Sequence, residues 1–375
     1  MSTMTEVAEN IREDFDKRAG DADLAGELQH ENYEEMAEAG YLRGLVPTEL
    51  GGLGADLTEF AGAQRTLAWG CASTALAVNM HHFQVGPGAE AFRATGANEA
   101  LLRKVADEGF VLGSTGAEAI VAGNWDTPTT ATPDGEDYII TGRKFFFSQS
   151  HMVDVVRVNA RDVATGEILI VAVPMGAPGV SILDTWDTLG MRATASNDLV
   201  LEDVRVPASA VGVRLPAKAP AWHPGFAKVI TWFLSGMTAV YLGIADRARD
   251  TALEAIDSGS TSRDRDPVLT DMLIGELEIA HLTASSTLES GIDRVLAADG
   301  PDEALGHAIA MKEASTHASV AVVDRAVDIL GGRAFHRRSV LERLARDIRA
   351  ARHHPPAAPV AQQMIGLARR GGPTS

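Results

Sequence analysis

The chain has 375 residues, 45% hydrophobic and 22% charged, the balance of a soluble globular protein with room for two or three domains or one large core. A formal net charge of −18 argues against a nucleic-acid partner held by a generally basic surface. The single cysteine, Cys71, excludes an intrachain disulfide, and no Cys/His cluster has metal-ligand spacing.

Residues 1–108 read as an N-terminal helical domain. The start is polar and acidic, without an apolar signal segment, and no run of the chain predicts a membrane-spanning helix, so a cytoplasmic protein is expected. Tyr33, Met36, Ala37 and Leu42 fall near one helical face that ends at Gly44 and Pro47. A Gly-rich loop over 49–55 follows, outside the strand-then-helix context of a dinucleotide fingerprint. Helices then resume over 58–80 and 98–108. Cys71 lies in a small-residue helical run, where a buried inert thiol is the expectation. From Phe110 the texture changes to short β-rich runs separated by turns such as Pro133-Asp134-Gly135. Residues 109–215 therefore read as a middle β domain, a barrel or sandwich. Residues 216–375 read as a C-terminal four-helix bundle with long helices over 226–257, 267–298 and 301–330, which makes the fold class α+β.

Three motifs in this order carry a resemblance. Pro47-Thr48-Glu49-Leu50-Gly51-Gly52-Leu53-Gly54 is the first. The second runs from Trp186 through Leu189-Gly190-Met191-Arg192-Ala193-Thr194-Ala195-Ser196 to Leu201-Glu202-Asp203-Val204-Arg205-Val206-Pro207. Asp328-Ile329-Leu330-Gly331-Gly332 followed by Arg346-Asp347 is the third. Together they resemble the acyl-CoA dehydrogenase superfamily, including its flavin-dependent monooxygenase branch. The resemblance implies FAD or FMN held between the β domain and the bundle, and a homotetramer. By position, it puts Phe146 against the flavin ring, Ser148 within hydrogen-bond reach of flavin N5, and Ser114 and Thr115 at the pyrimidine edge. It places Gly331 and Gly332 where a neighbouring subunit's cofactor approaches. Without it, Phe145 to Phe147 are core aromatics of a strand, and the two glycines a helix cap. The family's Arg-x-x-Phe-Gly segment, which commonly holds the FAD pyrophosphate, is absent, with Arg263 and Arg265 as substitutes of unsettled register.

Family dehydrogenases need a carboxylate within reach of the substrate α-carbon. One family position for it is Pro355 here, inside His353-His354-Pro355-Pro356. The other falls near Phe233, and no Asp or Glu occurs between Pro216 and Ala245. The resemblance to the monooxygenase branch, which also lacks this Glu, implies reduced flavin and O2 in a dry site. There Ser148, His354 or His353, and His82 (or His81) are the expected polar groups. Equally, His353-His354-Pro355 is a bundle-ending turn, and His81 and His82 fill a core. Arg349 and Arg352 contact a substrate acid or CoA phosphate in one reading, and water in another.

The expected function is thus a flavin-dependent oxidoreductase, a monooxygenase acting on a small aromatic, amine or polyketide-like molecule, with a flavin reductase or electron-transfer partner. Two rivals stand. One is a dehydrogenase of an acyl-thioester substrate whose base is displaced, for example to Glu118. The other is a non-catalytic flavin-fold partner subunit.

Overall fold

The structure, a computed structural model, describes residues 2–116, 126–217, 219, 223–259 and 266–370. Glu118, Arg263 and Arg265 lie outside the described residues.

The N-terminal region is helical. Helix α1 (Met4–Ala25) opens on a reciprocal capping box between Thr3 and Glu6 and buries Val7, Ile11 and Phe15. α2 (His30–Ala39) stops at Gly40, which adopts φ 84°. The helical face expected to run on to Leu42 is therefore cut short: Tyr33 and Met36 are buried on α2, Ala37 is exposed, and Leu42 belongs to the following turn. The helix expected over 58–80 is two helices. α3 (Leu57–Gly70) and α4 (Ala72–Thr95) meet at Cys71, whose backbone is extended and whose thiol is buried. Gly70 explains the crowding at this corner, because a Cβ there would lie 2.2 Å from the Arg12 carbonyl of α1. α5 (Glu99–Glu108) then leads to the sheet.

Among the described residues, eight strands form one sheet: β1 (Leu112–Thr115), β2 (Thr130–Asp134), β3 (Asp137–Phe147), β4 (Val155–Asp162), β5 (Ile168–Pro174), β6 (Val180–Leu183), β7 (Asn197–Pro207) and β8 (Val211–Leu215). Their order is β6-β7-β3-β2-β4-β5-β8, with β1 added in parallel to β4. The β3–β7 ladder slips between Lys144 and Phe147. That irregularity matters for the site, since an unpaired residue in a strand is free to aim its side chain off the sheet.

The C-terminal region holds three long helices, α6 (Pro224–Asp257), α7 (Pro267–Leu296) and α8 (Pro301–Leu330), completed by the short α9 (Val340–Asp347) and α10 (Ala358–Arg369). By length and composition α6 could cross a membrane, yet 78% of its apolar window is buried inside the protein. It is the spine of the molecule, packed on α3, α4 and α8. Its glycines set the distance. A Cβ on Gly236 would stand 2.1 Å from Asn79 Oδ1 of α4, and one on Gly243 2.3 Å from the Arg65 carbonyl of α3.

Two of the sequence motifs meet in one joint. A Cβ on Gly190 would lie 2.4 Å from the Arg346 carbonyl, so only glycine permits the contact. The Met191 N–H donates to Asp347 Oδ1 at 2.6 Å. Arg346 donates to Asp23 of α1 at 2.9 and 2.5 Å, to Glu342, and to the Leu189 carbonyl at 3.0 Å. One guanidinium thereby ties the first helix, the loop before β7 and the last part of the bundle together.

Candidate active site

The site begins with the slip in β3. Phe146 occupies it with φ 54°, a conformation uncommon for an aromatic residue, and its ring is 61% exposed. The ring stands edge-on to Trp186 at 6.0 Å between centroids, and Trp186 is itself fixed by donating Nε1–H to the Met191 carbonyl at 2.9 Å. Strain therefore holds out an apolar ring that burial would ordinarily claim. Two residues on, Ser148 is nearly buried, and its hydroxyl lies 2.8 Å from that of Ser196. Ser196 Oγ lies 2.7 Å from Thr194 Oγ1, and Thr194 Oγ1 donates to the Met191 carbonyl at 3.0 Å.

The end of this chain fixes the direction of every proton in it. The Met191 carbonyl can only accept, so Thr194 donates to it. Each hydroxyl has one proton. Ser196 must then donate to Thr194, and Ser148 to Ser196. The reverse order would leave the Thr194 and Met191 oxygens facing each other at 3.0 Å without a proton between them, in a place where Thr194 is fully buried. Such a mismatch costs about 1–3 kcal/mol. Ser148 thus presents acceptor lone pairs, not a proton, to whatever lies beyond it.

The neighbouring backbone is anchored from behind. Gln149, fully buried at φ 54°, donates Nε2–H to the Leu112 carbonyl at 2.8 Å and accepts from Tyr33 Oη at 2.8 Å. The Leu112 N–H donates to His81 Nδ1 at 3.0 Å, so His81 holds its proton on Nε2 and donates it to the Leu42 carbonyl at 2.8 Å. Burial pushes the His81 pKa down to about 4, which keeps this clamp neutral. Sequence reasoning offered His81 only as a stand-in for His82, and missed Gln149, Thr194 and Ser196 as participants. The Thr-x-Ser spacing over 194–196 was on view in the second motif, but its link to Ser148 exists only through β3–β7 pairing.

The expected site residues separate. Thr115 spends its hydroxyl proton on the Phe145 carbonyl at 2.7 Å and so braces β3. Ser114, half-buried on β1, stands across from Arg157 of β4. Gly331 caps α8 with φ 63°, and Gly332 has open space around its Cα. Both lie on a turn whose Phe335 is 90% exposed. His353 is exposed, with no side-chain partner among the described residues. His82 requires correction. It is fully buried in a box of Tyr41, Phe60 and His81 rings, and neither ring nitrogen has a partner. Burial holds its pKa well below the ordinary value. A neutral imidazole sealed in the helical core cannot meet a substrate from solvent. Arg349, unlike His82, is paired, with Asp324.

His354 is held on the bundle side. Its Nδ1 lies 2.7 Å from Tyr241 Oη and 3.1 Å from the Ala350 carbonyl. The Ala350 carbonyl already receives the His353 N–H at 2.9 Å, and Nδ1 lies within reach of both a donor, the Tyr241 phenol, and that acceptor, so these contacts admit either neutral tautomer. Burial pushes the His354 pKa down to about 4, with Lys312 and His353 adding to the effect. Burial also holds the Tyr241 phenol well above its ordinary pKa, so it keeps its proton. The His353–Pro356 turn is fastened by Lys312. Its ammonium is 1% exposed, pairs with Glu313 at 2.7 Å, and donates to the Pro356 and His354 carbonyls at 3.0 and 3.3 Å.

Neither family position for a base holds a carboxylate. Phe233 stacks edge-on against Phe83 at 5.5 Å, and Pro355 is exposed in the Lys312-bound turn. The buried carboxylate at the joint, Asp347, is engaged by the Met191 N–H, and burial raises its pKa to about 6. A cleft of about 390 Å³ between α1 and Gly51–Leu53 belongs to the N-terminal domain alone, and the amides of Gly51, Gly52 and Leu53 are bonded internally.

An exposed aromatic wall beside an oriented hydroxyl fits a planar, hydrogen-bonding cofactor better than a free ion, and no His/Cys/Asp/Glu cluster among the described residues could hold a metal. The comparisons agree. Residues 3–109, 116–204 and 235–358 match the acyl-CoA dehydrogenase N-terminal, middle and C-terminal domains. The chain is 30% identical over 359 residues to a putative acyl-CoA dehydrogenase of Bacillus subtilis, covering 92% of this chain and 91% of that one. It is 31% identical over 348 residues to an amino sugar nitrososynthase of Streptomyces peucetius, covering 88% and 83%. KijD3, solved with FMN and a dTDP-linked amino-keto sugar, superposes with a TM-score of 0.85 at 26% identity, over 97% of this chain and 94% of that one. The chain belongs to the acyl-CoA dehydrogenase family. Its relatives include flavin-dependent oxidising enzymes, the nitrososynthases and monooxygenases, and the oxidoreductase class expected from the residues holds.

Proposed function

We propose that this protein is a flavin-dependent monooxygenase that oxygenates the nitrogen of a small amine, with reduced FMN delivered by a separate reductase. The observation that carries the reading is the wall without a base: Phe233 and Pro355 stand where a dehydrogenase needs a carboxylate. The amine is taken from the amino sugars named for the nitrososynthase relative and for the KijD3 complex. Bound flavin would supply the electrons that activate O2. Phe146 and Trp186 would cover its ring and exclude water, Ser148 would accept a hydrogen bond from it, and Gly331 and Gly332 would leave room for a neighbour's cofactor. Held neutral, His354 would hydrogen-bond the amine through Nε2 and orient its nitrogen without setting a positive charge beside it, whereas an imidazolium N–H would tie up the lone pair that has to react. The fit to FAD is the weaker one, since the pyrophosphate-binding segment has no counterpart in the sequence.

A homotetramer is part of the same reading. α7 presents Val268, Met272, Ile279 and Leu282 to solvent, each more than half exposed, an apolar stripe suited to a second copy of the chain.

The test is anaerobic reduction of the flavin-loaded protein, then stopped-flow mixing with O2, with and without amines. A near-ultraviolet transient that amines shorten, with mass spectrometry showing one oxygen gained by the amine, is expected. Anaerobic bleaching of the flavin by an acyl-CoA would overturn the reading in favour of a dehydrogenase with a displaced base.

A further inference from the structure

We infer that Ser196 and Thr194 are positioning residues that make the site select reduced over oxidised flavin, by locking Ser148 as an acceptor. The inference rests on the flavin reading above, but its content comes from the direction of the hydroxyl chain. Thr194 donates to the Met191 carbonyl, Ser196 to Thr194, and Ser148 to Ser196, at 3.0, 2.7 and 2.8 Å. The three side chains are 0%, 5% and 9% exposed, so water does not compete to reorient them. The carbonyl at the end of the chain is itself fixed, because it also receives Trp186 Nε1–H at 2.9 Å.

Flavin N5 changes sign as a hydrogen-bonding atom with redox state. Oxidised, it has only a lone pair and seeks a donor. Reduced, it bears a proton and seeks an acceptor. A serine free to rotate serves both states equally. A serine whose proton is committed behind it serves only the reduced one, and meets the oxidised ring lone pair to lone pair. A protein that receives reduced flavin and must release the oxidised form gains direction from that asymmetry. The preference is built by two residues that touch no ligand.

The test is anaerobic titration of the full-length protein with reduced FMN, and aerobic titration with oxidised FMN, reading the two dissociation constants by fluorescence. Contacts to the phosphate, the ring faces and the N1 edge are untouched by the variants, so the change in the ratio from wild type to variant isolates the hydrogen bond at N5. Wild type is expected to bind reduced FMN about tenfold more tightly. Ser196→Ala releases the Ser148 proton to turn outward, and the ratio should fall about five- to tenfold, chiefly through tighter binding of oxidised FMN. Thr194→Val, close in shape, should do the same, and Thr194→Ser should keep the wild-type ratio. Equal affinities in the wild type, or variants that weaken both states together with the ratio unchanged, overturn the inference even if flavin binds. Absence of binding in both states overturns the flavin reading itself.

Discussion

At the scale of single residues, burial decides which titratable groups can act. His82 and His354 are both imidazoles on sequence motifs, but one is sealed among rings and the other is held by Tyr241 at the turn that ends the bundle. His354→Ala is expected to lower coupled product formation about 100-fold, the lower end for a positioned polar group. FMN affinity should stay within about twofold, as product assays beside flavin titration would show. An unchanged rate would remove His354 from the site. Asp347 gives a second prediction. Its folded pKa of about 6 exceeds the ordinary carboxylate value of 3.8, so the folded state holds the proton more firmly than the unfolded chain, and this group's contribution falls as pH rises from about 4 to 6. Asp347→Asn carries no such charge and its amide oxygen still accepts from the Met191 N–H. Relative to wild type, the variant should gain stability between pH 5 and 7.5, by on the order of 1–2 kcal/mol in urea unfolding. A constant difference across that range would show that Asp347 does not titrate there.

At the scale of elements, the close approach of α6 to the N-terminal helices is what brings Tyr241 and the bundle up to the rest of the molecule. Gly236→Ala puts a methyl 2.1 Å from Asn79 Oδ1 and 2.7 Å from the Phe60 ring, both buried. It should destabilise by about 1–3 kcal/mol, the range for overpacking. The matched control is Gly20→Ala, inside α1 and exposed, where a Cβ meets nothing within 4 Å. That change should stabilise by about 0.5–1 kcal/mol, since alanine loses less freedom in a helix. Opposite signs in thermal unfolding are the expected result; equal effects would mean that helix propensity outweighs packing at α6. Lys312 shows the same logic in a turn. Its buried ammonium gathers two carbonyls of the His353–Pro356 segment, and so places His354 from a distance of more than forty residues in sequence.

At the scale of the whole molecule, acid should loosen the fold. His81 and His354 have pKa values lowered from 6.5 to about 4, and His82 lies well below the ordinary value. A lowered folded pKa means stability that is present above pH 6.5 and is lost as pH falls through about 4, because the unfolded chain takes up protons first. With three histidines working in this direction and Asp347 against it, urea midpoints should fall steadily from pH 6.5 to 4. A flat profile would contradict the burial of these rings. Because His81 holds β1 to the turn after α2, the loss should be felt between the helical region and the sheet.

Much of this architecture was legible without coordinates. The change from helical period to short β runs near Phe110 and back after Pro207, together with the three ordered motifs, defined the α+β order, and the missing acid between Pro216 and Ala245 disfavoured the ordinary dehydrogenation. Local chemistry determines these, because periodicity and residue type act within a few positions. Helix ends were less legible. Gly40 and Cys71 divide runs whose hydrophobic pattern continues across them, and the crowding at Gly70 comes from α1, far away in sequence. The roles of the histidines could not be read at all. His81, His82 and His354 have the same side chain, and only tertiary packing decides that one is a clamp, one is sealed and one is held by Tyr241 at the turn that ends the bundle. The same holds for Ser148. Its hydroxyl was visible in the strand, but the direction of its proton was settled by Ser196, Thr194 and a single carbonyl that the β3–β7 ladder brings into line.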